Sequence, residues 1–415
     1  MKTLVEINVA CNWGSTGRIA EQIGLKAMQH GWDAHIAHSS RYVNSSQLKT
    51  YQLQDKWADY KHFIWDSTIL GRSGLGSVTS TKRFLKYLDE IKPSIVHLHN
   101  IHGHYINYEL LLGYLAEKDI PVVWTMHDCW PITGHCAYFD SIDCLKWKTE
   151  CGNCQLQKDF PKSLFFDTST SAFRLKKRLL NAIPNLTLVP VSGWLGDIVR
   201  ESMVGNHAKV HVIHNGIDLN VFKATNPKCN DGRFRILGVA AGYDERKGLN
   251  DFNQLRGILS DEYEITMVGL YGDEIHKIVP GIKGIERTDS VEELVRLYNE
   301  ADVYINPTYS DNFPTTNIEA LACGTPVITY KTGGSPEAIK GNGLGVMVDS
   351  GIESYPTGMV VEQGNVQALA DAIKQMKEHP IAPEVCRKRA EDLFDKDKCF
   401  EEYITLYEEI LRTRS

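Results

Sequence analysis

Short apolar runs recur along the chain and alternate with stretches whose apolar residues return every three or four positions. Residues 3–10 predict a strand, a turn follows at Gly14 and Gly17, and residues 18–30 predict a helix. Further strands are predicted at 34–37, 95–98, 122–126 and 186–191, and helices at 79–91 and 110–117. The pattern restarts after Asn226-Pro227-Lys228. Strands are then expected at 234–240, 264–268, 303–306 and 327–330, with helices at 249–259, 291–299 and 317–323, and one long charged helix at 390–412. Strand–helix alternation of this kind predicts an α/β fold, here two units in tandem, each a mostly parallel sheet with helices on both faces. In such sheets ligands bind beyond the carboxyl ends of the strands, so chemistry is sought in the loops that follow them.

The length, 415 residues, fits two or three domains. Hydrophobic residues make up 42% and charged residues 23%, which excludes a disordered chain. No apolar run approaches the roughly 20 residues a membrane helix needs. Glu6 interrupts the apolar start, so no signal-peptide core is predicted and a cytoplasmic location is expected. The net charge of −7 argues against a nucleic-acid binder. That charge is uneven: residues 1–190 hold 21 Lys+Arg against 17 Asp+Glu, and the remainder is acidic. An anionic partner surface and chance asymmetry between two domains both fit this.

Cys136, Cys144, Cys151 and Cys154 fall close together, as C-x7-C-x6-C-x2-C. Thiols at this density suit a structural zinc ion, with free thiols and a redox pair as alternatives. The histidines at 97, 99, 102 and 104 are read as strand-end and loop residues, because no carboxylate or cysteine pattern accompanies them in sequence.

Four loops carry candidate chemistry. Gly14-Ser15-Thr16-Gly17-Arg18 follows a strand and opens a helix, where backbone N–H groups attract anions. His127-Asp128 follows the strand at 122–126, where an imidazole can bond a ligand hydroxyl. Arg246-Lys247-Gly248 suits a diphosphate, with Arg as a fork and Lys as a point charge. The fourth runs from Ser310 through Asp311, Asn312, Phe313, Thr315 and Thr316 to Glu319, then Gly324-Thr325-Pro326. Here a loop carboxylate, a helix N-terminus and a carboxylate two turns later line up for sugar, phosphate and ribose. Gly333-Gly334-Ser335-Pro336-Glu337 after the next strand offers another close backbone approach.

In their order and spacing these motifs, with Val191-Ser192 and Asn215-Gly216-Ile217-Asp218, resemble the retaining glycosyltransferases of family four, which have the GT-B fold. Asp128-Cys129-Trp130-Pro131, the cysteine cluster and Asp311-Asn312-Phe313-Pro314 are similar to the bacterial exopolysaccharide enzymes of colanic-acid type. The resemblance implies two Rossmann-like domains facing a cleft. The first covers residues 1–195, with a cysteine-rich insertion at 129–165 and completion by a helix at 392–415. The second, residues 196–391, binds the nucleotide sugar, with a hinge near 195 and 390.

The resemblance implies that Lys247 and Arg246 bind the donor diphosphate, that Glu319 holds the ribose, and that Asp311 and His127 meet sugar hydroxyls. It also implies that Gly14, Ser15 and Gly17 lie over the diphosphate, and that Asn312, Phe313, Thr315, Thr316 and Gly334 line the donor site. It implies a UDP-sugar or GDP-sugar donor, UDP being favoured, a glycan or lipid-linked glycan acceptor, and catalysis without a cofactor. The basic amphipathic stretch at 173–180 is a candidate for peripheral membrane contact, with a plain surface helix as its alternative. Two departures stand out: Asp311 is where relatives usually have Glu, and Ala241 is where many have Arg. An epimerase, a non-catalytic nucleotide-sugar binder and a nicotinamide oxidoreductase are the competing classes.

Overall fold

The computed structural model describes residues 1–225, 231–340, 351–414 and, for the backbone, 346–349. The predicted break at Asn226-Pro227-Lys228, and Cys229, lie outside the described residues. The chain divides into two compact units, Met1–His214 with Cys399–Ser415, and Asn215–Lys398.

The first unit is built on seven strands: β1 (Thr3–Ile7), β2 (Asp33–His38), β3 (Lys49–Gln52), β4 (Ile95–Leu98), β5 (Val122–Met126), β6 (Leu186–Pro190) and β7 (Lys209–Val210). They lie in the order β3-β2-β1-β4-β5-β6-β7, and every pairing is parallel. Five of them, β1, β2, β4, β5 and β6, are buried almost throughout, as strands covered on both faces must be. One layer above this sheet packs Ile19, Ile23 and Trp32 against Phe400, Tyr403, Ile404 and Tyr407 of the terminal helix Lys396–Arg412.

The second unit holds β8 (Phe234–Val239), β9 (Tyr263–Val268), β10 (Ile282–Ile285), β11 (Val303–Asn306), β12 (Val327–Tyr330), β13 (Val346–Asp349), β14 (Ile352–Tyr355) and β15 (Gly358–Val361). Their order is β10-β9-β8-β11-β12-β15-β14-β13, parallel as far as β15 and antiparallel at the β15–β14–β13 edge. Phe252, Leu255, Leu369 and Ile373 from its helices close over Ile236, Ile265 and Ile328 of this sheet.

Four sequence expectations change. Residues 196–214 fall in the first unit, because Lys209–Val210 adds an edge strand to β6. The terminal helix is two: Pro383–Leu393 ends at buried Phe394, and Asp395 bridges to Ile217 before Lys396–Arg412 begins, so the first unit regains the chain at Cys399. The helix after β1 begins at Gly14 itself, so the glycine loop is its first turn. The helix Ser169–Asn181 turns Phe173, Lys176, Leu179 and Leu180 inward, and Arg174 and Arg178 pair with Glu150 and Glu109. Its apolar side is therefore mostly core, as in the plain surface-helix alternative.

Candidate functional site

In the second unit, the loop after β8 winds into one 3₁₀ turn, Glu245–Lys247. Asp244 caps it by accepting from the Lys247 N–H at 3.0 Å. Gly248 then takes φ 75°, and a Cβ there would lie 2.4 Å from the Pro307 carbonyl oxygen, so only glycine lets this turn sit against the loop after β11. Arg246 ties the two loops together: its guanidinium donates to the Ser310 carbonyl at 3.0 Å, and its own carbonyl accepts from the Tyr309 N–H at 2.8 Å. Lys247 Nζ lies 2.5 Å from Asp311 Oδ2, with both side chains about four-fifths buried. Asp311 in turn accepts the Gly334 N–H at its carbonyl, 3.2 Å away.

The helix that follows, Thr315–Ala322, starts at Pro314 with no side-chain cap and no acidic residue in its first turn. Its N-terminal dipole therefore meets no side-chain counter-charge of its own. Asn317 locks the helix in place, accepting from Asn306 at 2.9 Å and donating to the Ser335 carbonyl at 3.1 Å. Phe313 is buried and rings with Phe394. Glu319 accepts from the Tyr298 hydroxyl at 2.9 Å, which fixes its carboxylate. The structure thus brings together Arg246, Lys247, Asp311, Asn312, Gly334 and the Thr315–Thr316 turn. Ala241 is exposed and supplies no cation. Tyr298 had no sequence signal, since it reads as one more apolar position of a helix.

In the first unit, the helix Gly14–Gln29 likewise begins without a side-chain cap or an acidic residue. Gly14 has φ 64° and open space around it, and Gly17 packs where a Cβ would be 3.2 Å from the Ala10 Cβ. Ser15 is exposed at the same turn. His127 directly follows β5 and, partly buried, joins a chain of buried groups. His99 Nδ1 is 3.0 Å from His127 Nε2, and His99 Nε2 is 2.7 Å from Glu6 Oε2. His97 stands 3.1 Å from the same carboxylate oxygen and bonds the Tyr407 hydroxyl at 2.6 Å and Thr125 at 2.7 Å. Burial raises the Glu6 carboxyl, but His97 and His99 outweigh it and hold it below its ordinary value. Burial pulls His99 down to about 4 and His127 well below its usual value, so both rings are neutral.

Neutrality fixes the tautomers. An ionised Glu6 only accepts, so His99 carries its proton on Nε2 and offers a lone pair at Nδ1. His127 must then carry its proton on Nε2. Nothing in the sequence linked Glu6 to this site, because the carboxylate comes from a strand some ninety residues away. Carboxylates do accompany the histidine cluster in space: Glu6 here, and Asp128, which bonds His102 at 2.8 Å. Among the described residues, Glu6, His97 and His99 form the group of possible ligand atoms within 4.8 Å of one another. Every ring nitrogen in it already has a protein partner, which is the geometry of a hydrogen-bond chain and not of an open metal site.

Cys136, Cys144, Cys151 and Cys154 all line one cavity of about 280 Å³. The free thiols of Cys136 and Cys154 are neighbours that perturb each other's ionisation, and Cys151 Sγ accepts from the Gly134 N–H at 3.1 Å. Four sulfurs at about 2.3 Å from one ion would stand about 3.8 Å apart. No three of these meet the 4.8 Å grouping, so they surround a shared space without closing on its centre. Beside them lies Lys176, fully buried, its ammonium donating to the Trp130 carbonyl at 2.6 Å. Burial brings its pKa down to about 7, against the opposing pull of Cys151, Cys136 and Asp128.

Residues 26–221 match the family model described as Glycosyltransferase Family 4, and residues 282–393 match Glycosyl transferases group 1. The chain is 26% identical over 264 residues to the putative colanic acid biosynthesis glycosyl transferase WcaC of Escherichia coli K12, a match covering 60% of this chain and 63% of that one. It is 25% identical over 248 residues to the capsular polysaccharide biosynthesis glycosyltransferase CapM of Staphylococcus aureus, covering 54% and 62%. Among solved structures, sucrose-phosphate synthase of Thermosynechococcus elongatus superposes with a TM-score of 0.69 at 16% identity over 100% of both chains. HepE of Anabaena, in complex with UDP, gives 0.63 at 13% identity over 99% and 100%. The fold is GT-B, and the two family models between them support a glycosyltransferase of family-four type. The chain spans a little under two thirds of the length of the WcaC relative it matches.

Proposed function

We propose that this chain transfers a hexose from a UDP-sugar to a lipid-linked glycan acceptor, with retention of anomeric configuration, in the synthesis of a bacterial surface polysaccharide. The observation that carries the reading is the Lys247–Asp311 ion pair beside the uncapped start of the Thr315–Ala322 helix, with Glu319 further along that helix. The WcaC and CapM relatives, named for polysaccharide synthesis, and the HepE complexes with UDP and UDP-glucose support the donor and product classes.

In the reaction the bond from the anomeric carbon to the diphosphate oxygen breaks and negative charge grows on the diphosphate. Lys247, Arg246 and the N–H groups of Thr315 and Thr316 stabilise that charge without reorganising. The acceptor hydroxyl attacks on the face the diphosphate leaves, its oxygen bonds the anomeric carbon, and its proton passes to the departing phosphate oxygen. When UDP-sugar arrives, Lys247 exchanges Asp311 for phosphate, and the freed Asp311 carboxylate accepts from sugar hydroxyls. His127 is assigned to a hydroxyl of the transferred sugar. Glu319 accepts from the ribose.

The cysteine segment is assigned a structural zinc ion. The thiols would converge on their shared cavity as thiolates, and the Lys176 ammonium would balance part of their charge.

The test is thermal stabilisation by UDP, GDP, ADP and NAD, each with and without EDTA, followed by sugar transfer with Lys247→Ala. UDP alone is expected to raise the melting temperature, unchanged by chelation. Lys247→Ala is expected to lose about 3–4 kcal/mol of transition-state stabilisation, a few hundredfold in kcat. A rise with NAD alone, or a Lys247→Ala enzyme of undiminished rate, refutes the reading.

A further inference from the structure

The helical run from Lys56 to Ile69, an α-helix that continues into a π-helical turn, is built inside out. Its inward side is polar. Asp59 is buried and accepts from the Ser40 N–H at 2.9 Å and from Gln54 at 2.7 Å. Buried His62 bonds Ser77 at 2.6 Å, and Ser67 is buried too. Its outward side is aromatic: Trp57 is 82% exposed, Trp65 56%, and Tyr60 is exposed between them. The four-residue spacing stacks Trp57, Lys61 and Trp65 along one face.

The loop before the Ser169–Asn181 helix extends this surface. Leu164 N–H donates to the Thr68 carbonyl at 2.8 Å, Ser163 holds the Phe166 carbonyl at 2.7 Å, and Thr168 bonds the Gly71 carbonyl. So pinned, the loop presents Phe165 and Phe166 at 69% and 55% exposure. Rings left in water favour burial, and a patch of them marks an interaction surface.

Behind the two phenylalanines lies a cavity of about 650 Å³. Leu70, Phe165, Phe166 and Leu175 form its apolar wall, and Tyr108 and His135 lie at its polar end. The Tyr108 hydroxyl and His135 Nε2 are both buried and lack a partner in the protein. A protein docked here would cover the rings and leave the cavity unused. A bilayer accounts for both: its interface suits Trp and Tyr, its hydrocarbon takes Phe165 and Phe166, and an amphiphile from it can reach the cavity.

We propose that the face formed by Trp57, Tyr60, Trp65, Phe165 and Phe166 docks the protein on a lipid bilayer. The segments that carry it, 55–72 and 158–167, hold Lys56, Lys61, Arg72, Lys158 and Lys162 against Asp55, Asp66, Asp159, Asp167 and the buried Asp59, so their charge is balanced. Ring insertion carries the binding, and salt weakens it little. The proposal deepens the lipid-linked reading of the acceptor, but its test uses neither donor nor acceptor, so either can fail alone.

The full chain is sedimented with vesicles of phosphatidylcholine, alone and mixed with phosphatidylglycerol, at low salt and at about 0.5 M salt. The wild type is expected to pellet with both. Trp57→Ser/Trp65→Ser and Phe165→Ser/Phe166→Ser, checked for unchanged circular dichroism and melting, are each expected to bind about tenfold more weakly or less. Brominated lipid is expected to quench the wild-type tryptophan emission, a readout that needs no variant. The proposal is overturned if the wild type stays in the supernatant, if the variants pellet like it, or if binding needs phosphatidylglycerol and vanishes in salt.

Discussion

Glu6 shows how a single residue changes meaning between sequence and fold. In sequence it is a charge that spoils an apolar run; in the fold it is a fully buried carboxylate that orders His99 and, through it, His127. On the proposed function it is a positioning residue, since through His99 it sets which nitrogen of His127 carries the proton. The Glu6→Gln amide keeps an acceptor for His99 but adds an N–H that competes for His97, so the tautomer order is lost. Imidazole ¹⁵N shifts are the direct measurement: in the wild type both His99 and His127 should carry hydrogen on Nε2, and in Glu6→Gln the His127 signal should show both tautomers. Transfer activity should fall about tenfold while UDP stabilisation is kept, because Lys247 and the Thr315–Ala322 helix are untouched. A wild-type His127 protonated on Nδ1 would sink the relay. A purely structural role for Glu6 would instead lower stability and leave the tautomers as they are. That relay was invisible in sequence because its members are separated by tens of residues and meet only through the pairing of β4 with β1 on one side and β5 on the other. The Lys247 and Asp311 loops were visible because each follows an apolar run that reads as a buried strand.

At the scale of elements, legibility followed burial. The strands Ile95–Leu98, Val122–Met126, Val303–Asn306 and Val327–Tyr330 coincide with their apolar runs, since both faces are covered and the runs are continuous. The Lys56–Lys61 helix with its π turn escaped, because a periodicity argument assumes apolar residues point inward and here they point out. The break at Phe394 and Asp395 escaped as well, because it is made by a bridge to Ile217 from a distant part of the chain. The cysteine segment is an element of a third kind, held by short turns around a small cavity with a small apolar core of Phe139, Trp147 and Leu156. Such a segment needs a cross-link or an ion to be worth ordering. Elemental analysis of protein purified without chelator is expected to find one zinc per chain, and Cys151→Ser and Cys154→Ser are each expected to lose it. Removing the ion should also raise the protease sensitivity of residues 140–160 while UDP stabilisation persists. Zinc-free protein with an equally protected segment would refute the assignment and leave the four thiols as free cysteines.

At the scale of the whole molecule, acid should weaken the fold through histidines that are buried neutral. Burial brings His62 down to about 4 and His104 to about 3, with neighbouring histidines adding to the second, and the two rings meet edge to face at 5.6 Å. Both folded pKa values lie below the unfolded value of about 6.5. As pH falls below that value, the unfolded chain takes up protons that the folded chain refuses. Their contribution is therefore complete above about pH 6.5 and is lost progressively as pH falls toward 4, at a slope of about 1.4 kcal/mol per pH unit for each ring. The Glu6 carboxyl, also held below its ordinary value, pulls in the same direction at lower pH. Urea midpoints measured from pH 8 to pH 4.5 should thus be flat above pH 7 and decline below it. In His104→Gln that decline should be shallower, since one refused proton is removed from the balance, even if the midpoint at pH 8 is lower. A midpoint that rises on acidification, or a slope unchanged in the variant, would show that these rings take up protons in the folded protein.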